Sequence, residues 1–220
     1  MGLKLEFLGL CGAGKTTFIN ALEDKLTGKT HFGLARPIVP KVNHTIIYFI
    51  RILILGFLRE PVIFFQFLLQ KNNWWLIKKL AYRQASIYLR KNRSIILVDS
   101  GILQPFLSFE IEEKITNSEV PIKSLLNGIS LPEAVVVLKV PPSVAKKRYE
   151  QRGVNGQGRL IRVNSEEYFN RAEELQKKLI GYCIDRQVKT IEVDSRYEFT
   201  EEYLSKKLSE IQNVFKNQRI

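Results

Sequence analysis

The sequence predicts an α/β protein in which a mainly parallel sheet of five strands is flanked by helices in three layers. Three observations predict it. An apolar run at residues 3–8 leads straight into a glycine-rich loop and then into a helical pattern. Residues 94–98 (SIILV) and 134–140 (AVVVLKV) are near-continuous apolar runs, as expected for strands covered on both faces of a parallel sheet. Helical patterns lie between these runs, so strand and helix alternate along the chain.

The first strand, at residues 3–8, ends at the glycine loop. From Lys15 the spacing of Phe18, Leu22 and Leu26 puts three apolar side chains on one helical face, with a stop near Gly28. A short strand is expected around residues 31–34. The third and fourth strands are the two apolar runs, and residues 189–193 (KTIEV) supply the fifth. Asn164 and Glu167 have the spacing of a capping pair, ahead of Tyr168, Ala172, Leu175 and Leu179 at helical intervals. Thr200 is placed to cap a last helix whose Leu204, Leu208, Ile211 and Phe215 share a face. No repeat, low-complexity tract or linker divides the 220 residues, so one domain over 1–220 is expected.

Composition narrows the class. The apolar fraction is 45% and the charged fraction 25%, an ordinary soluble balance. Two cysteines without metal-ligand spacing, Cys11 and Cys183, fit a reducing compartment. No secretory signal precedes the first strand, and a cytoplasmic location is the expectation. The net charge of +12 asks for an anionic partner. No helix-turn-helix or aromatic RNA-binding strand pair accompanies it, so nucleic acid is not expected.

Residues 45–69 stand apart. Their apolar run is broken by Arg51 and by Arg59-Glu60-Pro61, whereas a membrane span needs about 20 uninterrupted apolar residues. Core helices and a peripheral membrane-facing surface both fit, and Trp74-Trp75 beside Lys78-Lys79 leans toward the surface.

The chemistry begins at Gly9-Leu10-Cys11-Gly12-Ala13-Gly14-Lys15-Thr16, followed by Thr17. Glycines let the backbone curl so that successive N–H groups point at phosphate oxygens, and the helix beyond adds its positive dipole end. Lys15 carries a mobile charge for the β- and γ-phosphates, and the Thr16 hydroxyl is placed to ligate Mg²⁺. This is a Walker A loop. Its glycines, lysine and hydroxyl align by chance in roughly one chain per hundred, and a preceding strand and following helix make coincidence remote.

Asp99 sits at the C-terminal end of the third strand, where ligands of open α/β sheets bind. A carboxylate there can serve Mg²⁺ or take a proton from an attacking hydroxyl; otherwise it caps the turn at Ser100-Gly101. Arg148 and Arg152 are four apart, hence on one helical face, and Gly153, Gly156 and Gly158 follow, with Arg159 and Arg162 beyond. A glycine-rich segment among arginines, over about 143–163, is what a lid over transferring phosphates requires. A basic surface helix is the plainer alternative. Arg36 and Arg83 are isolated arginines on the presumed acceptor side.

Together these residues resemble the nucleoside and nucleoside-monophosphate kinase branch of the P-loop fold, thymidylate kinase most of all. Ala35-Arg36-Pro37 resembles the acceptor-side Arg-Glu-Pro segment with its glutamate missing. Ala81-Tyr82-Arg83-Gln84-Ala85 is similar to the helix whose arginine meets the acceptor phosphate. Val98-Asp99-Ser100 stands where the family has Asp-Arg-Tyr, and Leu131-Pro132-Glu133 resembles the entry to the fourth strand. Arg148 and Arg152-Gly153 match the arginines before the lid, Tyr168-Phe169-Asn170-Arg171 the helix after it, and Val193-Asp194-Ser195 the base-side loop. Three departures bear on substrate: Ser100 replaces an arginine, Leu10-Cys11 replaces an acidic loop position, and residues 45–69 fill the acceptor region with apolar side chains.

The resemblance implies ATP- and Mg²⁺-dependent phosphoryl transfer to a nucleoside, nucleotide or related phosphorylated metabolite. Residues 9–17 would bind ATP, Thr16 and Asp99 would hold the metal, and Lys15, Asp99, Arg148 and Arg152 would serve the transfer. Arg36, Arg83 and Arg159 would hold the acceptor, beneath a helical insertion at about 44–80. ATP and a small anionic acceptor are the expected partners, with a homodimer and a peripheral membrane contact as further candidates. A non-catalytic nucleotide-binding protein at a membrane surface is the competing reading.

Overall fold

A computed structural model describes residues 3–26, 32–34, 42–69, 73–88, 95–99, 101–111, 121–154 and 165–216. Five strands form one sheet: β1 (Leu3–Gly9), β2 (Phe32–Leu34), β3 (Ile95–Val98), β4 (Ala134–Lys139) and β5 (Lys189–Asp194). Their order is β2-β3-β1-β4-β5, and every pair is parallel. The expected strands are all present, with ends moved by a residue or so.

The order follows from burial. β1 and β4 are central, hydrogen-bonded from Leu5↔Ala134 to Gly9↔Leu138; β4 is apolar on both faces, whereas β1 buries Lys4 and Glu6 on one of its faces. Alternation assigns each side chain to a layer. Val135 and Val137 of β4 face a core with Leu8, Ile96, Val98 and Phe106. Ala134, Val136 and Leu138 face the opposite core with Phe7, Phe18, Leu22 and Phe169. Because β1 lies mid-sheet, its C-terminal Gly9 delivers the glycine loop to the middle of the carboxyl edge.

Helix α1 (Lys15–Leu26) buries Phe18, Ile19, Leu22 and Leu26, the face expected from their spacing. Helices α2 (Val42–Arg59), α3 (Pro61–Leu69) and α4 (Asn73–Tyr88) follow β2. The chain turns sharply between α2 and α3, where the Ser124 hydroxyl donates to the Glu60 carboxylate and the Phe64 amide to the Glu60 carbonyl, 2.9 Å. Helices α5 (Gln104–Ile111) and α6 (Ile122–Asn127) lie between β3 and β4. Helix α7 (Pro142–Val154) follows β4, α8 (Ser165–Asp185) precedes β5, and α9 (Glu201–Lys216) ends the fold. Thr200 caps α9 as expected, its hydroxyl accepting from the Tyr203 amide at 3.3 Å. Asn164, the other expected cap, lies outside the described residues.

Candidate functional site

The loop after β1 is held by its own backbone. The Ala13 amide donates to the Leu10 carbonyl at 3.0 Å, and the Phe18 amide to the Gly14 carbonyl at 2.9 Å, which starts α1 directly behind the loop. Gly12 and Gly14 have φ of +82° and +81°, the left-handed region that glycine enters without strain. Gly12 is doubly constrained, because a Cβ there would sit 2.2 Å from the Ala145 carbonyl oxygen of α7.

Lys15 lies across this curl. Its ammonium donates to the carbonyls of Gly9 (2.8 Å) and Leu10 (3.2 Å). Burial depresses its pKa, while the negative fields of Cys11 and Asp99 oppose that shift and Arg152 reinforces it. Asp99 and Arg152 are therefore in electrostatic reach of the lysine. Asp99 follows β3, whose Val98 pairs with Glu6 of β1, and is half-buried at the strand end.

Below the loop lies a buried group the sequence reading missed. Glu6 is 1% exposed, and its Oε1 accepts from the backbone amides of Leu103 (2.6 Å) and Gln104 (3.2 Å) at the start of α5. Burial raises its pKa to about 7, although those amides and the Arg83 guanidinium pull it down. Gln104 continues the connection to the loop: its Nε2 donates to the Gly9 carbonyl (3.2 Å) and its Oε1 accepts from the Gly9 amide (3.4 Å). Glu6 thus fixes the turn after Asp99, and Gln104 ties that turn to the carbonyl on which Lys15 rests. In sequence Glu6 is only a charged residue inside a strand, since its partners come about a hundred residues later.

A cleft of about 600 Å³ opens beside the loop, lined by Gly12, Gly14 and Thr17, by Arg148 and Arg152 of α7, and by residues 195–199 after β5. Both α7 arginines reach the site, in different ways. Arg148 donates to the carbonyls of Ser195 (2.6 Å) and Arg196 (2.9 Å), so here it braces the β5–α9 turn, while Arg152 is exposed. That turn is further held by the Ser195 hydroxyl on the Lys139 carbonyl, 3.0 Å, and by an Arg196–Asp194 ion pair that lowers the Asp194 pKa. Tyr197 stands exposed on the cleft and Phe199 packs edge-on to Phe18 at 4.9 Å. These aromatics were not legible as site residues, because only the turn brings them to the loop.

Other expected residues are placed less completely. Arg83 is on α4, felt by Glu6 from across the interior. Arg36, Arg159, Ser100 and the glycines at 156 and 158 lie outside the described residues. A second cleft of about 640 Å³, lined by Lys139, Glu173, Glu192 and Lys207 among others, contains no residue of the glycine loop. Both cysteines are free thiols, and burial pushes that of Cys183 up to about 12.

No family model matches the chain, and no curated protein matches it. Solved structures do. The deoxyadenosine kinase of M. mycoides with bound dATP superposes with a TM-score of 0.59 at 15% identity, over 96% of this chain and 99% of that one. The same enzyme with the products dCMP and a flexible dCDP gives 0.56 at 18% identity, over 99% and 100%. With dCTP it gives 0.57 at 14%, over 96% and 100%. The chain has the fold of a P-loop nucleoside kinase. The likeness extends over nearly the whole of both chains. At this identity it establishes the nucleoside-kinase fold, and chemistry has to be argued from the site.

Proposed function

We propose that the protein transfers the γ-phosphoryl group of ATP to a small acceptor, a nucleoside, nucleotide or related phosphorylated metabolite. The observation that carries this reading is the shared cleft: the phosphate loop, the α7 arginines and the β5–α9 turn line one cavity, and Asp99 acts on the loop lysine. The amides of the loop and the α1 N-terminus would cradle the β- and γ-phosphates. Lys15 would exchange its carbonyl partners for phosphate oxygens, and the negative triphosphate would hold it protonated against its burial.

Among the described residues no group of three or more His, Cys, Asp and Glu forms a metal cage. The exposed Thr16 hydroxyl and half-buried Asp99 are nonetheless the hard oxygen donors that suit Mg²⁺ bound mainly through phosphates and water. Bound there, Mg²⁺ would supply charge neutralisation on the transferring phosphates. Asp99 alternatively takes the proton of the acceptor hydroxyl as it attacks. Arg152, with Arg159, would neutralise charge spreading over the transferring oxygens, while Arg148 orients the turn on which Tyr197 would meet the donor base. Arg36 and Arg83 would hold the acceptor's anionic group.

Lys15→Ala tests this directly. Acceptor-dependent ADP release is expected to fall at least about a hundredfold with the fold retained; turnover at the wild-type rate would defeat the assignment. A protein that only binds nucleotide would show no acceptor dependence in either form.

A further inference from the structure

The outer face of the α2–α3 pair is apolar and uncovered. Thirteen large apolar side chains are exposed among the described residues, and eleven of them belong to these two helices. On α2 they are periodic: Ile46, Ile47, Ile50, Ile54, Phe57 and Leu58 fall within one sector of the helix, and no charged residue interrupts that sector. Only Ile52 and Gly56 of α2 are buried, on the opposite side, where the helix packs against α4 and α6. From Ile46 to Leu58 the ridge extends about 18 Å at 1.5 Å per residue. Exposed apolar surface of this extent marks an interaction site.

Charge identifies the occupant. Residues 25–98 hold 13 of the 34 Lys and Arg but one of the 22 Asp and Glu, and that one is Glu60. The other 146 residues are balanced at 21 of each. The whole net charge of +12 therefore belongs to the segment that carries the apolar ridge. Glu60 is engaged by Ser124, whereas Arg51, Arg59 and Lys78 are exposed with no ion-pair partner among the described residues. Arg51 borders the ridge on the α6 side; Lys78 lies one turn along α4 from Trp74, which packs against Phe49 of α2 at 6.0 Å between ring centroids. A second copy would set this uncompensated positive charge against itself across a symmetric interface. A nucleic acid would satisfy the charge and leave the aliphatic ridge wet. An anionic bilayer satisfies both.

We propose that the α2–α3 face docks the protein in the plane of an anionic membrane surface, with the ridge among the acyl chains and Arg51 and Lys78 at the headgroups. In-plane docking is required, because α2 is a working part of the domain. The Gly128 Cα lies so close that a Cβ there would be 3.1 Å from the Arg51 carbonyl, and Gly56 lies against the buried Phe64 ring. A spanning α2 would be stripped from both contacts.

The test is co-sedimentation of the full chain with vesicles of phosphatidylcholine alone or with about 30% phosphatidylserine. Binding to the anionic vesicles is expected, weakened at least about tenfold without phosphatidylserine or in high salt. Ile50→Ser with Ile54→Ser, solvent-facing changes checked by circular dichroism, should abolish it, and Arg51→Gln should weaken it about fivefold. Lys15→Ala should bind vesicles normally, which separates this proposal from the kinase assignment. Failure to bind anionic vesicles would overturn it. So would a dimer in sedimentation velocity that the Ile50→Ser, Ile54→Ser change dissolves without altering lipid binding.

Discussion

Glu6 is a carboxyl group buried in the central strand, and its burial costs the fold stability at neutral pH. It stays protonated to about pH 7 in the native state, against an ordinary value of 4.5. Between those values the native protein binds more protons than the unfolded chain, so stability falls as pH rises through the window and levels off above it. The difference is of order 3 kcal/mol at 1.36 kcal/mol per pH unit. Glu6→Gln keeps an oxygen for the Leu103 and Gln104 amides and removes the titration. Urea midpoints measured from pH 5 to pH 8 should fall for the wild type and stay flat for the variant; parallel curves would show that Glu6 is not the group responsible. Gly12 sets a second expectation. Alanine there meets both a φ of +82° and the Ala145 carbonyl, so Gly12→Ala should lose about 2 kcal/mol or more and weaken ATP binding. Equilibrium ATP titration checks it, and unchanged affinity would mean the loop can move away from α7.

At the scale of elements, packing decides against propensity in α2. Gly56 sits within an eighteen-residue helix, where alanine would ordinarily gain about 1 kcal/mol. Its Cβ, however, would stand 2.6 Å from the ring of Phe64, which is fully buried and has no room to turn aside. Overpacking of this kind costs about 1–3 kcal/mol. Gly56→Ala should therefore lower the urea midpoint, and a raised midpoint would show that α3 is free to shift on α2. The α5 start behaves differently, since Gln104 and Glu6 hold it by hydrogen bonds to β1. Gln104→Leu leaves the Gly9 amide and carbonyl without that partner, at about 1–3 kcal/mol, and should weaken ATP binding through Lys15. A stability loss with unchanged ATP affinity would confine Gln104 to a structural role.

Across the whole molecule, what could be read in the sequence was what repeats locally. β3 and β4 were legible because strands covered on both faces of a parallel sheet are apolar throughout, and α1 and α9 because their apolar spacing is regular. The phosphate loop was legible because its chemistry is contiguous. Contacts made by distant segments were not: Glu6 reads as an unremarkable strand residue, Tyr197 and Phe199 reach the cleft only through the β5–α9 turn, and Arg148 finds carbonyls about fifty residues away. The apolar run at 45–69 gave its helices but not their orientation, because a helix apolar on both faces fits a core and a surface equally. What separates the proposed kinase from a protein that only binds nucleotide is transfer. Its most direct measurement follows label from the γ-phosphate of ATP into a panel of nucleosides, nucleotides and phosphorylated metabolites, with Mg²⁺, for the wild type and Lys15→Ala. Label is expected in at least one acceptor with the wild type and in none with the variant; ATP bound tightly with no label in any acceptor, or equal transfer by both proteins, would rule out the kinase assignment.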